Sequence, residues 1–413
     1  MTLQWYEYLG IFVMLYPGVM AVYWTLSGIL YFVFFENHAQ DPDFDYADQG
    51  EMPMVSVLVP CYNEEDNLDD SIPHLLKLNY PNYELVFIND GSRDKTLEII
   101  RRWEAQEPGK IVALTQDNSG KAAAMNHGLL KSRGQYIVGI DGDAVLDYYA
   151  LDYIVQTLEA NPMLGAVTGN PRVRNRSTVL GKLQVAEFIS IIGLIKRSQS
   201  IMGTLFTVSG VIVGLRKDVI TRVGGWSTNM ITDDIDVSWK VQTDGYNIAY
   251  EPRALCWVLM PETIRGLYKQ RLRWAQGGAE VILKYFGQVW RLKNFRLWPL
   301  YIEYLITLTW AYSMFAFMAI GFYQGIRYGT FSFHPFEVAS VITLVMFTIQ
   351  FSVSMAIDNR YEKGLWRYFT SCIWYPYAFW LINSLTLVHG LPKAIFRNKN
   401  KKAVWVSPDR GVQ

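Results

Sequence analysis

Apolar residues follow three different rhythms along this chain. The first is unbroken: Tyr8–Phe35 is almost wholly apolar and long enough to cross a bilayer as a helix. It has no basic leader and no small-residue cleavage site, so it reads as a retained span and not a signal peptide. Residues 36–52 are polar and acidic, a linker. The second rhythm alternates short β-rich runs with helical patterns. Strands are predicted at Val55–Val59, Glu84–Ile88, Ile111–Leu114, Tyr136–Ile140 and Gly165–Gly169. Helices are predicted at Asn67–Leu78, Lys95–Glu104, Lys121–Lys131, Asp147–Asn161 and Leu180–Ser200, and the Gly-punctuated Gly203–Leu215 looks strand-like. Strict strand–helix alternation implies right-handed βαβ units and an α/β fold with a Rossmann-like, mostly parallel sheet. The third rhythm begins at Thr263–Trp290, basic on one side and aromatic on the other, as in helices that lie in a membrane interface. Apolar stretches at Trp298–Ile326, Phe336–Ile357 and Tyr368–Leu391 follow, each long enough to span. The chain thus divides into a first membrane helix (1–35), the linker (36–52), an α/β domain on the cytosolic side (53–262), an interfacial helix region (263–297), C-terminal membrane helices (298–391) and a basic tail (392–413).

Composition narrows this further. The chain has 413 residues, 51% hydrophobic and 15% aromatic, too long and too apolar for one ordinary soluble domain. A net charge of zero argues against nucleic acid as a partner. Cys61, Cys256 and Cys372 have neither metal spacing nor a disulfide framework; they read as small buried apolar residues on a reducing cytosolic face. Basic residues favour that face for the α/β domain: Arg291, Lys293 and Arg296 precede the second span, and Arg360, Lys363 and Arg367 follow the third. Four spans would put the basic tail, with Lys393, Arg397, Lys399, Lys401 and Lys402, on the opposite side. Tyr368–Leu391, with Pro376 inside it, is the stretch best suited to a re-entrant or interfacial course.

Candidate chemistry sits at the strand ends. Tyr136–Ile140 runs into Asp141-Gly142-Asp143, where the glycine lets the chain turn sharply and both carboxylates aim beyond the strand. Ligands of open α/β sheets bind there, and two carboxylates suit Mg²⁺ or Mn²⁺ held partly by substrate phosphates. The first strand leads into Tyr62 and Glu64, the second into Asp90, and the third is followed by Lys121 at a helix start. A ring, two acids, a cation and a metal-type pair facing one crevice make a nucleoside-diphosphate pocket. Each has a plainer counterpart: Tyr62 packing, Asp90 capping a helix, Lys121 solvated. The run Asp233, Asp234, Asp236 is either a set of first-turn acids or the source of a general base. Gln270, Arg273 and Trp274 share one helical face. An Arg there can clamp a diphosphate and an indole can stack on a sugar; a membrane anchor is the alternative, chiefly for Arg271.

YNEE, NDGS, the DGD, the acidic trio and QRLRW, in this order, resemble processive inverting glycosyltransferases of family 2 with a GT-A fold. Cellulose, chitin and hyaluronan synthases are similar in these motifs. Poly-β-1,6-N-acetyl-D-glucosamine synthases of bacterial biofilms are similar from the first span to the final SPDRG, through IKRSQ, MITDDIDVSWK and YEPRALCWVLMPET. The resemblance implies that Tyr62, Glu64 and Asp90 hold the uracil and Lys121 the nucleotide. It implies Asp141 on ribose and metal, Asp143 on metal, Asp234 as the base, Gln270 and Arg273 on the diphosphate and Trp274 under the acceptor sugar. Thr232-Asp233-Asp234 stands where the family has Thr-Glu-Asp, which leaves the role of Asp233 open. The implied enzyme polymerises N-acetylglucosamine from UDP-N-acetylglucosamine with Mg²⁺ or Mn²⁺, exports the growing polysaccharide across the bacterial inner membrane, and works with a small membrane subunit. A synthase of another β-linked polymer and a polyprenyl-phosphate sugar transferase are the alternatives.

Overall fold

The computed structural model describes residues 5–37, 44, 52–329 and 334–398 of the chain. Most of the linker, and Lys399, Lys401, Lys402 and SPDRG in the tail, lie outside the described residues. Helix α1 (Trp5–Tyr31) ends in a π-helical turn, Phe32–Glu36. Then come β1 (Val55–Cys61), α2 (Glu65–Leu75), β2 (Tyr83–Asp90), α3 (Thr96–Gln106), β3 (Ile111–Gln116), α4 (Lys121–Lys131) and β4 (Tyr136–Ile140). The four strands are parallel in the order β3-β2-β1-β4. β1, β2 and β4 are buried at every position, as central strands covered on both faces must be. The chain steps from β1 to β2 on one side and later to β4 on the other. The order therefore reverses between β1 and β4, and the crevice beyond their carboxyl ends is the topological switch point.

The second half is wound differently. β5 (Val145–Leu146), α5 (Ala150–Ala160), β6 (Leu164–Val173), α6 (Val179–Glu187), a π-helical turn at Phe188–Gly193, α7 (Leu194–Ser200), β7 (Ile212–Arg216), α8 (Lys217–Arg222), α9 (Asp233–Thr243) and β8 (Asn247–Val258) follow. They complete an eight-stranded sheet, β3-β2-β1-β4-β7-β6-β8-β5. β7 is antiparallel to both β4 and β6, and β5 is antiparallel to β8. The sheet is mostly parallel, as expected.

Two expectations need correction here. Only the end of Gly203–Leu215 is a strand. The preceding backbone bonds to side chains instead: Leu205 N–H to Gln242 Oε1 at 2.9 Å, Phe206 N–H to Gln199 Oε1 at 3.0 Å and Val208 N–H to Ser238 Oγ at 2.8 Å. Those groups are then unavailable to a ladder. The long strand β8 was not foreseen. Its pairing with β6 shifts register between Tyr250 and Leu255, and the intervening Glu251-Pro252-Arg253 interrupts the alternation that marks a strand.

The membrane part continues with α10 (Ile264–Val289), a 3₁₀ turn at Leu292–Leu297, α11 (Trp298–Tyr328), α12 (His334–Asp358), a 3₁₀ turn at Leu365–Tyr368, α13 (Phe369–Cys372) and α14 (Tyr375–Phe396). Among the described residues three segments are long and apolar enough to cross a membrane: Tyr6–Glu36, Leu292–Tyr328 and Val341–Asp358. α14 is not one of them. It packs along α10 and α11, and just past its end Arg397 donates to the Asn229 carbonyl at 2.8 Å and to Glu280 at 2.9 Å. The end of α1, α7, β6 and the end of α12 meet in a buried ion cluster. Arg197 donates to Glu36 at 2.6 Å and to Asp358 at 2.9 Å. Arg172 donates to Asp358 at 3.3 Å, Arg176 pairs with Glu362, and the Tyr361 hydroxyl donates to Glu36 at 2.6 Å.

Candidate active site

The switch-point crevice collects most of the residues singled out from the sequence. Tyr62 follows β1 and is half-buried. Asn63 next to it takes a left-handed φ of 55°. Its side chain accepts from Arg93 N–H at 3.0 Å and its own N–H donates to Ser92 Oγ at 3.0 Å, so the loops after β1 and β2 are tied together. Glu64 is buried and accepts from the Asn67 side chain at 2.9 Å. Gly142 closes on it: a Cβ there would stand 3.1 Å from Glu64 Cγ, so the bare glycine lets the Asp141–Asp143 turn press against the Glu64 loop. Asp90 is fully buried. Its carboxylate accepts from Ser119 N–H at 2.9 Å, Gly120 N–H at 2.8 Å and the Gln116 amide at 2.8 Å. In this arrangement Asp90 holds the turn that starts α4 and so aims the next residue, Lys121.

Lys121 is the electrostatic hub. Its ammonium pairs with Asp141 and donates to the Gly210 carbonyl at 3.0 Å. Burial alone would lower its pKa, but Asp141, Asp233 and Asp234 outweigh burial and raise it. Asp234, at the start of α9, is pushed up to about 6 by burial and by neighbouring Asp233, against the pull of Lys121 and Arg273. That is a suitable value for a carboxylate that must take a proton near neutral pH. Asp236 is elsewhere: fully buried, it accepts from Lys284 at 2.6 Å and Tyr285 at 3.2 Å, a structural set that removes it from the crevice. Asp143 is buried. The Cys256 thiol is held well above its ordinary value by burial, with Asp141 and Asp143 both adding to the effect, so both carboxylates lie within electrostatic reach of that one thiol. Cys61 and Cys372 are likewise buried, their thiols donating to the Val59 and Lys182 carbonyls.

Helix α10 packs against the acidic loop that carries Thr232. A Cβ on Gly277 would fall 2.1 Å from Thr232 Oγ1; only a glycine lets α10 approach the acidic loop this closely. Arg273 is exposed and Trp274 half-exposed on that helix, with Arg273 near enough to influence Asp234. Arg271 is no surface anchor. It is buried, pairs with Glu187 at 2.5 Å, donates to Gln270 Oε1 at 2.7 Å and lies 4.1 Å over the Trp274 ring. Arg271 thus orients both Gln270 and the indole. The sequence pointed to a membrane anchor for this arginine and gave no sign of the loop at Ser209–Gly210 that faces Lys121 and Asp234. The signal for the first was Glu187, an acid inside an apolar helix.

The donor set can hold a divalent cation in part. Among the described residues no three His, Cys, Asp or Glu side chains form a ligand cluster. Asp141 and Asp143 offer two carboxylates, the number that Mg²⁺ or Mn²⁺ takes from protein when phosphates and water complete its shell. The crevice therefore combines buried carboxylates, a lysine and an acid that titrates near neutral pH, a set that suits transfer of a group from a nucleoside diphosphate to a hydroxyl.

Comparison with known proteins agrees with this chemistry. Residues 53–277 match the family model described as glycosyltransferase like family 2. A poly-β-1,6-N-acetyl-D-glucosamine synthase of Staphylococcus epidermidis is 41% identical over 97% of this chain and 98% of its own length. The enzyme of the same name from Staphylococcus aureus strain MSSA476 is 40% identical over 97% of this chain and 98% of its length. The solved mannosyltransferase of Pyrobaculum calidifontis, in complex with GDP-Man and Mn²⁺, superposes with a TM-score of 0.63 over 93% of this chain and 99% of its own, at 19% identity. That likeness establishes the GT-A-like fold. On the match of its catalytic half and on nearly full-length identity with these synthases, the chain belongs to the family 2 glycosyltransferases.

Proposed function

We propose that this protein polymerises N-acetylglucosamine from UDP-N-acetylglucosamine into a β-1,6-linked exopolysaccharide of the biofilm matrix. The observation that carries the reading is that likeness to the named synthases extends over 97% of the chain, through the membrane helices and not only the catalytic domain. In this reading Tyr62, Glu64 and Asp90 form the uracil end of the crevice and Arg273 and Gln270 its diphosphate end. Asp141 and Asp143 would hold Mg²⁺ or Mn²⁺, which when bound neutralises charge on the diphosphate. With Asp141 turned toward the cation, Lys121 would leave its pair with Asp141 and meet phosphate. Asp234 takes the proton from the 6-hydroxyl of the terminal acceptor sugar resting on Trp274. That oxygen bonds to the anomeric carbon as the bond to the diphosphate breaks, UDP leaves, and an α-linked donor yields a β-linked product.

The bilayer arrangement follows the helix ends. α1 and α12 both finish at the Arg197 cluster, α11 starts beside α10, and Arg397 returns to the catalytic domain. Three spans with α14 along the interface put Arg291, Lys293, Arg296, Arg360, Lys363, Arg367, Lys393 and Arg397 on one side, the cytosolic one. This removes the conflict that four spans create. The protein is then a multi-pass component of the bacterial inner membrane. Three spans enclose little by themselves, which supports a small membrane subunit as partner in polysaccharide export. Purified protein in lipid nanodiscs, given single UDP-sugars with Mg²⁺ or Mn²⁺, should make polymer from UDP-N-acetylglucosamine, and a β-1,6-specific hydrolase should degrade it. Polymer from another donor, or resistance to that hydrolase, overturns the assignment.

A further inference from the structure

Lys196 on α7 has not entered the mechanism, yet its placement is unusual. It is 5% exposed, and its ammonium donates to Thr168 Oγ1 of β6 at 3.0 Å. Buried lysines are ordinarily matched to a carboxylate; this one is hydrogen-bonded to a hydroxyl, with the Asp234 carboxylate in electrostatic reach and opposing the effect of burial. The same Thr168 oxygen accepts from Ser209 N–H at 2.8 Å. Ser209 adjoins Gly210, whose carbonyl receives Lys121 at 3.0 Å and whose Cα side faces Asp234, with a Cβ there placed 3.2 Å from Asp234 Oδ2. The chain of contacts runs from the buried ammonium through one hydroxyl to the backbone that separates the base from the nucleotide lysine.

Further bonds hold the same loop. α7 contributes Gln199 to Phe206 N–H, and α9 contributes Ser238 to Val208 N–H and Gln242 to Leu205 N–H. Without Lys196 and Thr168 the loop would remain tethered at Leu205–Val208 but lose its anchor at Ser209, next to the chemistry. α7 is also fixed to the membrane helices: Ser198 meets Ser27 of α1 at 2.6 Å and Arg197 binds Glu36 and Asp358. Three consecutive residues thus reach the sheet, the ion cluster and the first span.

We propose that Lys196 is a positioning residue for glycosyl transfer, setting through Thr168 the place of Ser209–Gly210 between Lys121 and Asp234. In this reading it acts through the loop and not on donor or acceptor. The inference rests on the glycosyltransferase reading above, and its test separates the two. Thr168→Val keeps the volume of the side chain and deletes the hydroxyl; Thr168→Ser keeps the hydroxyl. Thr168→Val and Lys196→Met should each cut kcat on the order of 10-fold or more, the scale of a small misplacement at a reacting centre. The KM for UDP-N-acetylglucosamine and the affinity for UDP should stay near wild type. Thr168→Ser should restore most of the turnover. Because both residues act through one contact, the double variant should be no slower than the slower single one. Wild-type turnover in Thr168→Val overturns the proposal. So do losses that multiply in the double variant, or a fall in UDP affinity as large as the fall in kcat. If wild-type protein transfers no sugar from any UDP donor, the functional reading fails first.

Discussion

Two buried clusters of charge organise this molecule, and they are built on opposite principles. At the junction of membrane helices and sheet, Arg172, Arg176 and Arg197 face Glu36, Asp358 and Glu362. Cations and acids balance, and most are sealed from solvent. In the crevice, Asp141, Asp233 and Asp234 act on Lys121, Arg273 and Lys196 face Asp234, and Asp143 lies buried within reach of the same Cys256 thiol as Asp141. Acids exceed cations there, and the crevice opens toward Arg273. A balanced buried cluster needs no further charge from a ligand. An unbalanced one is held together against its own repulsion and is completed by what it binds, in the proposed reading a divalent cation. The contrast separates structure from function without reference to any relative, and it can be broken from either side.

The largest effect is expected at Asp234. Asp234→Asn should lower turnover by about 10² to 10⁴-fold if the residue is the general base. UDP affinity should persist, and because a buried like charge is removed the variant should unfold at a slightly higher temperature than wild type. Near-normal polymer yield would move the role to Asp233. Asp143→Asn should also lose most turnover, as should wild-type enzyme in excess chelator. Full activity in either would remove the metal from this site.

The junction should answer in the opposite way. Arg197→Met leaves Glu36 and Asp358 buried without their shared cation, a change that typically costs about 3–5 kcal/mol. Thermal unfolding of the detergent-solubilised protein should fall by many degrees, while the remaining folded fraction keeps its KM for the donor. A variant as stable as wild type with a changed KM would show that the balanced cluster is part of the site after all.

How much of this contrast can be read from sequence depends on the region. β4 and α4 fall where the hydrophobic pattern puts them, Tyr136–Ile140 and Lys121–Lys131, because local alternation builds the donor half. The acids at its strand ends were visible for the same reason: a polar residue directly after an apolar run has few places to go. The acceptor half is assembled by distant partners. β7 is an antiparallel insertion whose preceding loop is held by side chains of α7 and α9, β8 is interrupted at Glu251–Arg253, and Arg271 finds Glu187 84 residues away. None of these leaves a local period. The junction was invisible too, since Glu36 lies at the edge of a linker and Asp358 at the end of a span, where charges are normally solvated.

On the membrane side of the crevice, Trp274→Ala should abolish polymer while leaving UDP affinity and membrane insertion nearly unchanged, and Trp274→Phe should keep part of the activity because a ring remains for the sugar face and for Arg271. Calorimetry with UDP beside polymer yield decides it. Loss of both in parallel would mean that the indole only anchors α10.

The smallest effect, and the sharpest, concerns pH. Asp234 is pushed up to about 6 by burial first and by Asp233 second. A general base works ionised, so kcat/KM should be flat above neutral pH and fall as pH drops through about 6, roughly tenfold per unit below that. Asp233→Asn removes the neighbouring negative charge. The pKa of Asp234 should then fall, and the acid limb of the profile should move to lower pH, giving a variant relatively more active at pH 5 than wild type. Arg197→Met should leave the limb in place, because Arg197 is paired with Glu36 and Asp358 and not with Asp234. Rates of UDP release measured between pH 5 and 8, with ionic strength and metal held constant, test both halves. An acid limb that stays put in Asp233→Asn, or one that shifts in Arg197→Met, would show that the two clusters are electrostatically one.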